Sequence, residues 1–303
     1  MQNNINKTQK FKESETFSGI ALAFPMLSGF ILFTLVPVVF SLMLSFTSWN
    51  FISGIKNIKF NGINNYIELF GDLWFKDSLK NTILFTIGVV TLDIIFGLFF
   101  AVILDKAVYG TDIFKAMFFI PYISSMVALA VLFTVILHPS FGPVNEFLRL
   151  LGINNPPRWF GDMYWAMPTL ILFTFWRDLG YYIIIFTAGL KGISNELYEA
   201  ASIDGAGIWQ KFRNITLPMI SPTTFFLMVT GIIGSFKVFD QISVTTEGGP
   251  GTSTTVLVYY IYKSAFQHYR MGYASSIAWI LFVLIFIITL LQWKYQKKWV
   301  NYD

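Results

Sequence analysis

The sequence predicts an all-α, polytopic membrane protein, and three observations carry that reading. Of 303 residues, 55% are hydrophobic and only 13% are charged. The mean hydropathy is +0.60, and the apolar residues gather in runs long enough to span a bilayer rather than in the stripes of a surface helix. Soluble domains carry about a quarter charged residues, so a water-soluble globule of this mass is excluded, and a soluble enzyme with it. The 33 Phe, 14 Tyr and 9 Trp are too many for a disordered or fibrous chain. The alternating ten-residue segments of a membrane barrel are absent, which leaves helices.

A hydrocarbon core about 30 Å thick needs about 20 apolar residues in helix. Six runs meet that length, at 19–47, 79–104, 113–137, 164–190, 220–242 and 271–293. The first follows Lys7, Lys10 and Lys12 as a signal peptide would. It is too long for a cleaved segment, lacks a small-residue cleavage pattern, and reads as a retained first span with room to tilt. The expected organisation is a tail at 1–18, a transmembrane domain at 19–293 and a tail at 294–303. Trp49, Trp74, Trp159, Trp165 and Trp293 fall near the span edges, where interfacial aromatics belong.

Basic residues orient the spans. On the side of the termini lie Lys7, Lys10, Lys12, Lys106, Lys115, Lys191, Lys211, Arg213, Lys294, Lys297 and Lys298; the other side holds Lys56, Lys59, Lys76, Lys80, Arg149, Arg158, Lys263 and Arg270. The bias is small and places both termini in the cytoplasm. Net charge +4 is thereby explained by residues flanking spans and does not point to nucleic acid. With no Cys, disulfides, thiolate metal sites and Cys nucleophiles are excluded, and the isolated His138 and His268 are too few for a His-based metal site.

Five ionisable residues fall inside the runs: Asp93, Arg177, Asp178, Lys237 and Asp240. Each costs about 2.5–3.5 kcal/mol at the bilayer centre, so they are expected to face a bundle interior or a wet cavity. Lys237 and Asp240 are three apart and are expected to pair on one helix face; the adjacent Arg177 and Asp178 point apart and need other partners. Two roles stay open, charge-paired glue between helices and a polar translocation path. For the second, Phe236, Phe239, Tyr181 and Tyr182 supply flat apolar faces and hydroxyls of the kind that suit a sugar ring.

Between the fourth and fifth runs lies the loop 191–219. Ser194 or Asn195 can cap a short helix, Glu196 and Glu199 favour its positive end, and Gly205 can take the left-handed turn that stops it. Ala200, Ala201 and Ile203 give that helix a small, slightly apolar surface, fit either for docking to another protein or for lying on the membrane. At 248–251, Gly248-Gly249-Pro250-Gly251 is either a contact for a partner or a plain tight turn.

Glu199-Ala200-Ala201, Gly205, Ile215, Leu217 and Pro218 resemble the EAA loop of permease subunits in binding-protein-dependent ATP-binding-cassette importers. The resemblance extends through Leu179-Gly180-Tyr181, Ala188-Gly189-Leu190, Ser235-Phe236-Lys237 with Phe239-Asp240, Gly248-Gly249-Pro250, Ser253-Thr254, Tyr260-Ile261-Tyr262 and Ala265-Phe266, and upstream through Asn65-Tyr66 and Asn81-Thr82. That set is similar to the carbohydrate branch, first-permease type, as in maltose and multiple-sugar systems. Ser194 departs from the family's usual Pro, and Ser is itself a good cap.

The resemblance implies a type I importer permease with six spans in a bacterial cytoplasmic membrane, not an enzyme. Its implied partners are a second homologous permease, two ATPase subunits and an extracytoplasmic solute-binding protein, with a sugar as cargo. Glu199, Ala200, Ala201, Asp204, Gly205 and Ala206 would couple to the ATPase. Tyr181, Tyr182, Phe236, Lys237, Phe239 and Asp240 would line the substrate pathway. No G-x-x-x-x-G-K-[ST] loop occurs, since Gly is never followed by Lys, so this chain is expected to hold no cofactor, with ATP and Mg bound by the partner ATPase. An ion-coupled secondary transporter is the alternative; it usually has more spans or inverted repeats, and no repeat between the halves is visible. A membrane-embedded enzyme would need a cluster of catalytic groups that the sequence does not offer.

Overall fold

The computed structural model describes residues 19–20, 22–106 and 110–301; the tail 1–18, with Lys7, Lys10 and Lys12, lies outside the described residues. In chain order the helices are α1 (Leu22–Ser45), α2 (Asn64–Gly71), α3 (Leu73–Lys106), α4 (Thr111–Ile123), α5 (Met126–Ile136), α6 (Pro143–Leu150) and α7 (Ala166–Lys191). They continue as α8 (Asn195–Ile203), α9 (Ile208–Lys211), α10 (Ser221–Phe236), α11 (Asp240–Thr245), α12 (Leu257–Tyr262) and α13 (Met271–Gln296). A two-residue hairpin pairs β1 (Thr47–Ser48) with β2 (Lys59–Phe60) at the end of the bundle opposite α8.

α1, α3, α7, the α10–α11 stretch and α13 are long and apolar enough to cross a membrane. The expected third span at 113–137 is not one helix: α4 and α5 meet at a bend of 96°. Pro121 has no N–H for the last turn of α4, Ser124 is extended at ψ 153°, and the Ser125 hydroxyl accepts the Ala128 N–H at 3.5 Å to start α5 afresh. The expected fifth span at 220–242 is also interrupted. Gly234 and Ser235 are weak helix formers at the end of α10; the Lys237 and Val238 N–H groups bond the carbonyls of Gly234 and Ser235 at 3.1 and 3.3 Å, and a new helix begins at Asp240.

The packed centre is α7 against α3 and α4, with α10 on α3. Lipid gives spans no hydrophobic reason to associate, so close van der Waals contact has to do it. Gly180 permits that contact: a Cβ there would stand 2.0 Å from the Phe118 carbonyl oxygen of α4.

Polar side chains pin the segment between α11 and α12 to α3. Asn81 donates to the Thr252 and Thr255 carbonyls at 2.7 and 3.0 Å, Thr252 donates to Asp77 at 2.7 Å, and the Leu257 N–H donates to Thr82 at 2.9 Å. Gly248-Gly249-Pro250-Gly251 is therefore a tucked turn, with only Gly251 of the four exposed. Nearby, Asp72 accepts the hydroxyls of Tyr260 and Tyr273 and the Trp74 N–H, tying α12 and α13 to the start of α3. At the other end α13 runs on to Gln296, past the expected boundary at 293, and the chain folds back so that the Asn301 N–H donates to Ser221 at 2.9 Å.

Candidate functional site

Two features stand out, an exposed helix in the 191–219 loop and a cavity among the spans. The loop helix is α8. The Ser194 hydroxyl accepts the Glu196 N–H at 3.3 Å, satisfying an orphan donor of the first turn. At the other end Gly205 sits at φ +78°, while its N–H and that of Ala206 bond the carbonyls of Ser202 and Ala201 at 3.1 and 2.8 Å. These are the paired bonds of a Schellman stop, which a residue with a Cβ makes only under strain. Tyr198 and Thr216 share a hydroxyl bond of 2.9 Å and Lys211 donates to Ser202 at 2.5 Å, so α8 is braced against the segment that follows it. Glu199, Ala200, Asp204 and Gly205 are exposed, Ala201 and Ala206 are half-buried, and Ile203 is 87% exposed.

The cavity measures about 460 Å³, within the about 300–1,000 Å³ typical of small-molecule sites. Its wall combines Phe85 and Asp93 of α3, Tyr122 at the end of α4, and Thr174, Arg177, Asp178, Tyr181 and Tyr182 of α7. Met126 of α5, Thr230, Gly231, Gly234 and Ser235 of α10, the 237–239 break and Asp240 and Gln241 of α11 complete it. Arg177 donates to Asp178 at 2.6 Å and to the Tyr122 carbonyl at 3.2 Å, and its guanidinium lies 5.2 Å from the Tyr122 ring centre. Tyr122 stacks on Tyr181 at 4.9 Å, and Tyr182 stands edge-on to Tyr181 at 5.8 Å. The result is a wall of phenol rings with charges between them.

A family model described as binding-protein-dependent transport system inner membrane component matches residues 93–299, from the cavity-lining Asp93 through α8 to the end of α13. The chain belongs to this family. The permease is 37% identical over 301 residues to YesP of Bacillus subtilis (strain 168), a probable ABC transporter permease protein, covering 98% of this chain and 96% of YesP. It is 33% identical over 284 residues to LacF of Rhizobium radiobacter, a lactose transport system permease protein, covering 92% and 93% of the two chains. A chain in the crystal structure of a bacterial ABC transporter that imports the acidic polysaccharide alginate superposes with a TM-score of 0.85 at 23% identity, covering 97% of the permease and 100% of that chain. The fold is thus the type I permease fold, and the protein is a multi-pass transport subunit rather than an enzyme. Family membership also sets aside the ion-coupled carrier.

Tyr181, Tyr182, Lys237, Phe239 and Asp240 all reach the cavity wall of the permease. Phe236 does not. It is 4% exposed and packs away from the cavity among Leu69, Phe75, Leu257 and Ile277, because the face of α10 that carries Gly231, Gly234 and Ser235 meets the cavity and Phe236 projects from a different one. The expected Lys237–Asp240 pair is absent, since the irregular turn at 237–239 replaces the helix face that would have aligned them. Arg177 and Asp178, expected to seek separate partners, pair with each other; among the described residues the other ion pair is Arg270–Glu68. Tyr122, Thr174 and Gln241 join the wall without any sequence signal. Asp93 had one, a carboxyl in an apolar run, but no role could be read from it.

Proposed function

We propose that the permease is one half of the translocation pathway of an ATP-driven importer of sugars or oligosaccharides, paired with a second, homologous permease. It sits in the bacterial cytoplasmic membrane with both termini, and α8, in the cytoplasm. Two ATPase subunits bind the ATP and Mg, and an extracytoplasmic binding protein delivers the sugar at the hairpin end. Relatives named for lactose and alginate transport support carbohydrate as cargo, as does the phenol-lined cavity.

One relationship carries the mechanism. α7 descends from the cavity wall at Arg177–Tyr182 to Lys191, α8 follows after three residues, and α10 returns to the same wall at Gly231 and Ser235. A displacement of α8 therefore reaches two walls of the cavity through two rigid helices. Glu199, Ala200, Ala201, Asp204, Gly205 and Ala206 form the surface that seats in the ATPase, where the small side chains allow close approach. When the ATPases close on nucleotide, the docked helices move, and the spans rock between inward-open and outward-open states. The exposed carboxylates of α8 favour a protein groove over a lipid surface.

Reconstitution of the whole complex in proteoliposomes tests this reading. Ala201→Trp is expected to abolish binding-protein-dependent sugar uptake while the chain still inserts in the membrane. Uptake at the normal rate by that variant overturns the docking role.

A further inference from the structure

At the hairpin end, α2 buries one face and leaves an apolar one uncovered. The Asn65 amide donates to the Ser45 and Thr47 carbonyls at 2.8 and 2.9 Å, and Leu69, one turn on, joins the core that holds Phe236 of α10 and Tyr273, Ile277 and Leu281 of α13. Ile63, Ile67 and Phe70 recur at the four- and seven-residue spacing of a single helix face, on the side away from Asn65 and Leu69. All three are exposed, Ile67 by 58% and Phe70 by 74%. Phe60 of β2 and Leu73 at the start of α3 flank them in the chain and are exposed too. Apolar surface gathered in this way marks a place of interaction.

Position and charge say what covers it. Ile277 and Leu281 lie about two and three turns along α13, so α2, which shares their core, stands beside the outer turns of that span rather than above them. This is the side to which Phe236 packs away from the cavity, and no described residue of α1, α2 or α13 reaches the cavity wall. The second permease of the proposed complex closes the cavity side, which leaves lipid for the outward face of α2. Lys56, Lys59, Lys76 and Lys80 are exposed, and none is in an ion pair among the described residues. Lys76 and Lys80 share a face of α3 with the exposed Ile83, Leu84 and Ile87, so their ammonium groups stand over an apolar stripe of the span. The carboxylates of the segment are already taken: Glu68 by Arg270 at 2.6 Å, Asp72 by the Tyr260 and Tyr273 hydroxyls, and Asp77 by Thr252 at 2.7 Å. Lysines on this side run against the usual bias of Lys and Arg toward the cytoplasm, and anionic headgroups supply the counter-charge that the chain does not.

We propose that α2 is an interfacial helix that binds anionic phospholipid in the leaflet at the hairpin end. Ile63, Ile67 and Phe70 enter the boundary of the acyl chains, and Lys59, Lys76 and Lys80 hold the headgroup phosphates as point charges. Lipid held there anchors the outer ends of α3 and α13, the ends remote from α8. From the proposed function this takes only the side on which the second permease stands.

The chain contains no Cys, so Ile67→Cys gives it a single thiol for a fluorophore, read in the complete complex with the signal of the unsubstituted complex subtracted. The complex is placed in phosphatidylcholine vesicles with traces of either phosphatidylglycerol or phosphatidylcholine bearing a nitroxide on the acyl chain, and quenching by these lipids is compared with quenching by aqueous iodide. Lipid nitroxide is expected to quench the label and iodide to leave it bright. At equal mole fraction the phosphatidylglycerol quencher is expected to be at least about fivefold more effective than the phosphatidylcholine one, the factor that one lysine contributes beside an anionic surface. Combining Lys59→Gln, Lys76→Gln and Lys80→Gln, all at exposed and unpaired positions, is expected to abolish that preference. Iodide quenching that disappears when the binding protein is added assigns the face to that protein, and shielding from both quenchers assigns it to the second permease. Either result overturns the proposal, as does equal quenching by the two lipids or a preference that survives in the Gln variant. If Ile67→Cys does not assemble, Phe70→Cys on the same exposed face is read in the same way with the same outcomes. Binding-protein-dependent sugar uptake by the same vesicles is scored separately: uptake without the lipid contact overturns this proposal alone, and the lipid contact without uptake overturns the importer reading alone.

Discussion

A methyl group added to Gly231 would stand 2.3 Å from the hydroxyl oxygen of Tyr182. α10 thus passes α7 with only a hydrogen atom's room at this level, and Tyr182 cannot simply retreat: it is 5% exposed, and its Cβ faces Gly97 of α3, where a Cβ would lie at 2.7 Å. Gly231→Ala is expected to destabilise the complex by about 1–3 kcal/mol, the usual cost of overpacking. Adding Tyr182→Phe removes the obstructing oxygen and is expected to restore most of the lost thermal stability. Melting of the four purified forms gives the coupling; additive losses would contradict the contact.

Gly180→Ala is expected to be worse. The obstacle at 2.0 Å is the Phe118 backbone carbonyl, which no rotamer change can move. Loss of assembled complex in membranes is the expected result. Gly234→Ala, where a Cβ meets nothing within 4 Å in this chain, is the matched control and is expected to assemble normally.

At the hairpin end, burial by itself would raise the Asp72 carboxyl, but hydrogen bonds from the Tyr260 and Tyr273 hydroxyls and from the Trp74 and Phe75 N–H groups hold it below the ordinary carboxylate value of 3.8. A depressed value in the folded protein means the carboxylate stabilises the fold fully above about pH 4 and loses that contribution as the pH falls through the lowered value. The melting temperature of Asp72→Asn is therefore expected to lie below that of the unaltered protein at pH 7, with the difference narrowing toward pH 3. A constant difference across that range would show that the charge on Asp72 is not what ties α12 and α13 to α3.

The stop of α8 at Gly205 gives a graded test of the loop. Gly205→Val forces a β-branched residue to φ +78°, whereas Gly205→Asn puts there one of the few side chains that tolerate the left-handed region. Import is expected to fall strongly for Val and mildly for Asn, and Ser194→Ala, which removes the cap, is expected to weaken the helix by about 0.5–2 kcal/mol. Equal import by the Val and Asn variants would separate coupling from the geometry of this turn.

Lys237 and Asp240 make no ion pair, so their contributions to transport are expected to be nearly additive, within about 0.5 kcal/mol. The cycle of Lys237→Ala, Asp240→Ala and the double variant measures this in import rates. Recovery in the double variant would mean that the two charges do pair in the working complex.

The apolar runs, the exposed loop helix and its two caps were legible in local sequence. A run of about 20 apolar residues has nowhere to lie but the bilayer, and Ser194 and Gly205 terminate α8 through bonds to residues within four positions of themselves. The family resemblance put Tyr181, Tyr182, Phe236, Lys237, Phe239 and Asp240 on one pathway, while the local reading assumed that a span is one straight helix. Tertiary structure decided otherwise at two places. The chain turns by 96° between α4 and α5, just past Tyr122, and the break at 237–239 ends α10 and takes Lys237 and Asp240 off a common helix face. Helical periodicity carries no information across such a break, because a few irregular residues rotate and redirect everything after them. For the same reason the place of Asp93 in the cavity wall was not legible: its cost in an apolar run is local, while its surroundings depend on α7 and α10, which begin more than seventy residues along the chain.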